Sequence, residues 1–310
     1  MITQLFSAAT LIGIVVSGIR LATPYLYATI GETFGQRSGL VNLGVDGIML
    51  MGAYAAFFTT FKTGSLALGL LAAIIVGGIM GLSMAFFSVT LKAEQGISGI
   101  GVYLFGLGMS NLLFRKTLGT VETVSGFSPI HIPILSDIPV IGPIFFSHNA
   151  LVYIAFALVP ISWLVLNKTT LGLKIRAVGE NPEAADSLGV SVERVRYFAE
   201  TLCGMLAGIA GASLSIALLN VFQQNLTNGM GFIAVALVYF GGWRALGAMA
   251  GSMLFSVVNA VQLWMQVLGV PVPPDFALMM PYVLTILVLA FAAGRVRAPA
   301  ALSKPFERGE

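Results

Sequence analysis

Charge is what this 310-residue chain has least of. Asp, Glu, Lys and Arg together make 9% of it, where a soluble domain carries about a quarter. With 57% hydrophobic residues, the polar groups left cannot cover a water-facing surface, so an ordinary soluble fold is excluded. Cysteine is nearly absent: Cys203 stands alone, which rules out an internal disulfide and a multi-cysteine metal site and leaves it as a small packing residue. Only two histidines occur, His131 and His148, neither with a second ligand at metal spacing, and both are expected to be solvated. The dipeptide Gly-Lys never occurs, so no P-loop binds ATP here. No Gly-x-Ser-x-Gly or His-x-x-x-His pattern suggests an enzyme in the bilayer. The expectations are therefore no catalytic residue, no metal and no cofactor.

What the chain has is long apolar runs. They fall at roughly 5–30, 40–61, 65–91, 96–114, 149–167, 197–220, 228–241, 246–267 and 276–294. The reading is an all-α polytopic membrane protein, residues 1–310 forming a single transmembrane domain of about nine helices (eight to ten) in one compact bundle. The interrupted 5–47 region leaves room for a broken or re-entrant piece, and 228–241 is short for a crossing. No basic residue precedes the first apolar run, which reads as a retained segment rather than a cleaved signal. Glycine pairs spaced by four, Gly77 and Gly81, Gly204 and Gly208, Gly247 and Gly251, are expected where helix backbones touch.

Orientation follows from basic residues in loops. Segment 168–196 holds Lys168, Lys174, Arg176, Arg194 and Arg196, and the tail holds Arg295, Arg297, Lys304 and Arg308. The long loop 119–148 contains no Lys or Arg. This places 168–196 and the C-terminus in the cytoplasm and 119–148 outside, in a multi-pass membrane protein. Counting back puts the N-terminus outside.

The segment "AVGENPEAADSLGVSVERVR", 177–196, is the one charged stretch in the middle of the chain, and it carries Glu180, Glu183, Asp186 and Glu193 of the 13 acids. Pro182 suits a first helical turn, with Asn181 as its cap and Glu183 near the positive helix end. Gly189 suits the stop. The spacing predicts a short, rigid, capped helix, suited to take a push from a soluble partner.

"LGLKIRAVGENPEAADSLGVSV" resembles the cytoplasmic coupling segment of bacterial ABC importer permeases of the branched-chain amino acid, ribose and nucleoside class. "FGQRSGLVNLGVDGIMLMGAYAA" (34–56), "FGGWRALGAMAGSMLF" and "MMPYVLTILVLAFAAGR" are similar to further blocks of that family, in the same order. "GENPEAA", "RSGLVNLG" and "GGWRALGA" are most similar to the smaller permease of nucleoside importers, with simple-sugar permeases as near relatives. The resemblance implies a permease that moves nucleosides (or a simple sugar) inward as half of a dimer, commonly with a second, related permease. It further implies a cytoplasmic ATPase that supplies the hydrolysis and an extracytoplasmic substrate-binding protein. Gly179, Glu180, Asn181, Pro182, Glu183, Ala184, Ala185 and Gly189 are then the expected ATPase contacts. The chain departs from the family in carrying Asp46 in place of Glu and Tyr103 where relatives more often carry Asn.

Polar groups inside apolar spans are costly and face a cavity or a partner. Arg20, Glu32, Asp46, Glu200 and Asn220 are such groups. Glu200, one turn past Arg196, is expected in an exposed i,i+4 pair. Asn42 and Asp46, four apart, are expected on one helix face, with lining the pathway and making a buried structural bond both open. Arg37-Ser38-Gly39 before them suggests a helix start. With Gln95, Ser98, Tyr103 and Asn111 they form the candidate substrate pathway; Tyr54, Tyr103 and Phe105 are candidates to stack on a base. The alternative is a secondary carrier or channel for a small polar solute, which would have no use for a coupling helix.

Overall fold

The computed structural model describes residues 7–269, 272–292 and 297–308. Arg295, counted above among the tail's basic residues, lies outside them. The chain is helical, and among the described residues the sole β pairing is an isolated antiparallel bridge, Thr123 to Val221. Among the described residues twelve α-helices follow one another: α1 Ala8–Arg37, α2 Val45–Thr63, α3 Leu66–Ala85, α4 Gln95–Thr117, α5 Ile141–Phe145, α6 Ala150–Lys168, α7 Thr170–Glu180, α8 Pro182–Ser187, α9 Val192–Ser213, α10 Met230–Phe240, α11 Ala245–Val267 and α12 Pro274–Ala292. Each of α3 and α9 ends in a turn of π-helix, Phe86–Thr90 and Leu214–Leu218.

Local chemistry sets the helix starts. Ser7, Ser65, Asn149, Thr169, Asn181 and Ser191 each accept a backbone N–H of the first turn through a side-chain oxygen. Glu94 does the same for α4, its carboxylate taking the N–H groups of Gly96 and Ile97. These two bonds, from charge-preferring donors, hold its carboxyl below the usual range.

Nine of the helices sit on the nine apolar stretches. Among the described residues, six are long and apolar enough to cross a membrane: α1, α3 with its π turn, α4, α6, α9 with its π turn, and α11. Two of the other three differ for physical reasons: the charged Asp46 and Lys62 fall within α2, and α10 has 11 residues. Of α12, Asp275–Leu287 counts as a shorter apolar helix.

Helix α9 is the hub, packing on α1, α2 and α3; its apolar window is 67% buried against 28% for α4 at the periphery. The α3–α9 contact is a glycine seam. A Cβ on Gly77 would lie 2.3 Å from the Gly204 carbonyl oxygen, and one on Gly208 2.2 Å from that of Ala73. Only bare backbone lets the two helices come so close. On the other side of α3, Leu68, Leu71, Ile75, Ile79 and Leu82 form an exposed stripe at helical spacing.

Candidate functional site: coupling face and polar core

The charged segment folds as its spacing predicts. Pro182 occupies the first turn of α8, the Asn181 side chain accepts the Ala184 N–H at 3.0 Å, and Gly189 follows with φ +82°. Helix α8 projects from one end of the bundle with Glu180, Asn181, Glu183 and Ala184 exposed. Two of the expected ATPase contacts are instead buried. Gly179 packs on the end of α1, where a Cβ would come within 2.0 Å of the Arg37 carbonyl oxygen, and Ala185 is the buried residue of α8. These two seat the segment and present no surface. Leu188, not among the expected contacts, is 84% exposed at the tip. The sequence signal was there: a large apolar residue between a polar helix and its glycine stop.

Inward from that end lies a buried polar core. Helix α1 runs without a break to Arg37 and ends there, so Arg37-Ser38-Gly39 is a helix end and not the expected start. Residues 38–44 are irregular, with φ +95° at Gly39, and α2 begins at Val45. Asn42 therefore lies outside the helix that carries Asp46, and the two do not share a helix face. Asn42 Oδ1 accepts the Gly44 N–H at 2.8 Å, a local turn that competes successfully with helix. Its Nδ2 donates to Glu200 Oε1, and its backbone N–H donates to Glu32 Oε1 at 3.1 Å. Glu32 also receives Gln36 Nε2 at 2.9 Å and the Cys203 thiol at 3.3 Å. Gln36 Oε1 in turn accepts the Trp243 indole N–H at 2.7 Å, which pins the α10–α11 turn to α1.

Glu200 and Arg196 do not form the expected exposed pair. Both are fully buried: Glu200 turns to Asn42, while Arg196 Nε donates to the Ser38 carbonyl at 3.3 Å. The irregular 38–44 backbone needs donors and acceptors that helix neighbours would otherwise supply, and α9 provides them. Among the described residues no cation lies within ion-pair distance of Glu32, Asp46 or Glu200.

A second irregular stretch meets the first. After the π turn of α9, residues 219–229 pass down the bundle, with Phe222 buried against Tyr54 and Phe57, to the start of α10. There Asp46 accepts the Gly231 N–H at 2.8 Å and the Thr227 hydroxyl at 3.0 Å. Helix α4 crosses the same point: a Cβ on Gly47 would meet the Tyr103 backbone at 2.6 Å, and the Tyr103 ring stands edge-on to Phe232, centroids 5.0 Å apart. Two helix N-termini, those of α2 and α10, thus converge beside Asp46 and Tyr103.

The six candidate pathway residues are not brought into one cavity. Asn42 and Asp46 are in the core just described. Gln95 is buried and accepts the Val41 N–H at 2.9 Å. Ser98 lines an apolar cleft of about 420 Å³ between α3 and α4, with Phe105 on its wall. The Oδ1 of Asn111 is buried without a hydrogen-bond partner among the described residues. Tyr54 packs on Phe58 and Phe222 and is not free to stack on a ligand. At the opposite end from α8, Arg20, Thr23, Asn149 and Asn220 line a polar cavity of about 220 Å³. His148 beside it is buried, not solvated; its Nε2 meets the Ile144 carbonyl at 2.7 Å. Burial pushes its pKa down, and nearby Arg20 adds to the effect.

Residues 14–289 match the family described as branched-chain amino acid transport system / permease component. The chain is 35% identical to the guanosine ABC transporter permease protein NupQ of Bacillus subtilis and 36% identical to the nucleoside ABC transporter permease protein NupC of Lactococcus lactis, each alignment covering 93% of this chain and 94% of the relative. It is 36% identical to the putative glucose ABC transporter permease protein TsgC13 of Haloferax volcanii, over 96% of this chain and 98% of the relative. In each of these organisms a second ABC transporter permease, named for the same cargo, also matches, at 27%, 25% and 25% identity. No solved structure matches significantly. The chain belongs to this permease family and is an ABC transporter permease of the nucleoside and sugar class.

Proposed function

We propose that the chain is one of two related permease subunits of an importer that carries nucleosides inward across the bacterial inner membrane. The ATPase docks on the exposed part of 179–189, and an extracytoplasmic binding protein delivers cargo to the opposite end. The observation that carries the coupling role is α8 itself: a capped, exposed helix with an apolar tip, seated by Gly179 directly on the end of α1. The paired permeases of the three relatives support a second subunit. The basic residues of 168–196 and of the tail, against none in 119–148, favour a topology with α8 and the tail in the cytoplasm.

The pathway is proposed to pass the meeting of the broken elements. Irregular backbone within a bilayer is tolerated where it is buried in protein or lines a polar route. Half-helix starts offer free N–H groups to polar cargo. Asp46 and Tyr103 stand there; Asn42, Gln95, Ser98 and Asn111 complete the proposed set, the first two by shaping segment 38–44. Ribose hydroxyls and base edges pair with Asn, Gln and Ser side chains without a fixed charge.

A simple sugar is the second reading, favoured by the 36% identity to the glucose permease. Uptake of labelled guanosine, glucose and leucine by a strain lacking its own importers, supplied with the whole transporter, decides the matter. Guanosine uptake alone is the expected result; glucose or leucine uptake without guanosine overturns it.

A further inference from the structure

The tail after α12 was expected only to supply positive charge. Its described part, 297–308, instead folds back along the end of the bundle that bears α8. Ala301 donates its backbone N–H to the Gly179 carbonyl at 2.9 Å, and Ser303 donates to the Gly39 carbonyl at 3.0 Å. Arg308 Nε donates to Asp186 Oδ2 at 2.8 Å, and Lys92 pairs with Glu307 at 2.9 Å. Ala301 is buried, and Phe306 packs on the hydrophobic core. One short stretch therefore touches the α1–α2 junction, the end of α7, α8 and the α3–α4 junction.

Helix α8 needs such a partner. It has six residues, far fewer than a helix requires to hold itself, and only Ala185 of it is buried. Clefts of about 470 and 430 Å³ lie on the two sides of Phe306, each with part of 180–193 as one wall and the tail as another. Take the tail away and α8 keeps its two seats, Gly179 on α1 and Ala185 in the core, but loses the bonds at Gly179 and Asp186 that hold it against turning about them. A pushed lever that turns at its seats moves nothing beyond them.

We propose that residues 297–308 form a clamp that fixes α8 to the inner ends of α1 and α3, so that a displacement of α8 moves those helices as one body. This rests on α8 being the ATPase's docking helix. The clamp stays closed through the cycle; its two backbone bonds and the Arg308–Asp186 pair transmit force and bind no cargo.

The test uses the complete transporter in proteoliposomes and reads guanosine taken up per ATP hydrolysed. Arg308→Asp and Asp186→Arg are each expected to lower that ratio, by at most about fivefold, the equilibrium weight of an exposed ion pair. Combining them restores the pair with its charges exchanged and is expected to restore the ratio. Removal of 297–310 is expected to lower it by about thirtyfold, the equilibrium weight of two lost backbone hydrogen bonds, while ATP hydrolysis continues. Full coupling in the single variants and the truncation overturns the clamp, as does a swap no better than its parents, which decides the point should the truncated chain fail to insert. Glu183→Arg separates the two layers. If it abolishes uptake while the tail variants have no effect, the clamp alone is wrong; if it too has no effect, the docking reading falls with it.

Discussion

The carboxylate of Asp46, in the first turn of α2, accepts the backbone N–H of Gly231, in the first turn of α10, at 2.8 Å across 185 residues of sequence. With the Thr227 hydroxyl on its other oxygen, Asp46 staples two helices that both begin inside the bundle. A Cβ on Gly231 would come within 2.3 Å of the Asp46 nitrogen, so the staple also fixes how close the two starts sit.

Asp46→Ala leaves a buried N–H and a buried hydroxyl without acceptors. At about 1–3 kcal/mol for each orphaned group, the expected loss is about 2–6 kcal/mol. Asp46→Asn keeps one acceptor oxygen and is expected to lose less. Thermal unfolding of the purified subunit in detergent checks the order wild type, Asn, Ala; equal midpoints for all three contradict the staple.

Glycine substitutions separate seam from surface. Gly77→Ala drives a Cβ against the Gly204 carbonyl and is expected to lower the unfolding midpoint and the folded yield. Gly101→Ala, in α4 with nothing within 4 Å, is expected to be neutral or to stabilise by up to about 1 kcal/mol through helix propensity. Similar effects at both positions contradict the packing described for α3 and α9.

Much of this was legible in the sequence. The capped helix at 182–187 followed from Asn181, Pro182 and Gly189, because local capping chemistry needs no tertiary information. The same holds for the glycine pairs of α3 and α9, since spacing by four marks one helix face. What was not legible depends on long-range partners. Glu200 and Arg196 have the spacing of a surface pair, and only the irregular 38–44 backbone, more than 150 residues away, draws both inward. Asn42 was assigned to a helix face because apolar composition hides where a helix is broken. For the same reason, the exposed stripe of α3 cannot be told from its seam by hydropathy, as both are apolar.

The Glu94 cap carries a pH dependence with a definite sign. Hydrogen bonds from Ile97 and Gly96 lower its pKa in the folded chain below the usual value of about 4.5. A depressed folded pKa contributes stability above the unfolded value, and that contribution is lost as pH falls through the folded one. The stability difference between wild type and Glu94→Ala is therefore expected to be full at pH 6–7, to begin to fall near the usual carboxylate pKa, and to be lost as pH falls through the lowered folded one. A difference that persists unchanged into acid contradicts the charged cap.

Topology is checked by labelling. In a Cys203→Ala background, a cysteine at the exposed Ser128 is expected to react with an impermeant thiol reagent added outside intact cells, and one at the exposed Ser187 only after the membrane is opened. The reverse pattern inverts the proposed orientation.

The coupling role of α8 is the central claim, and its most direct test is a surface change confined to that helix. Glu183→Arg with Ala184→Trp alters two exposed residues and spares the buried Ala185, so the subunit is expected to insert and assemble in normal amounts. Guanosine uptake and ATP hydrolysis are then measured together in proteoliposomes holding the complete transporter. The expected result is uptake reduced to background, with hydrolysis no longer stimulated by the loaded binding protein. Full uptake at an unchanged ratio of guanosine to ATP would contradict it.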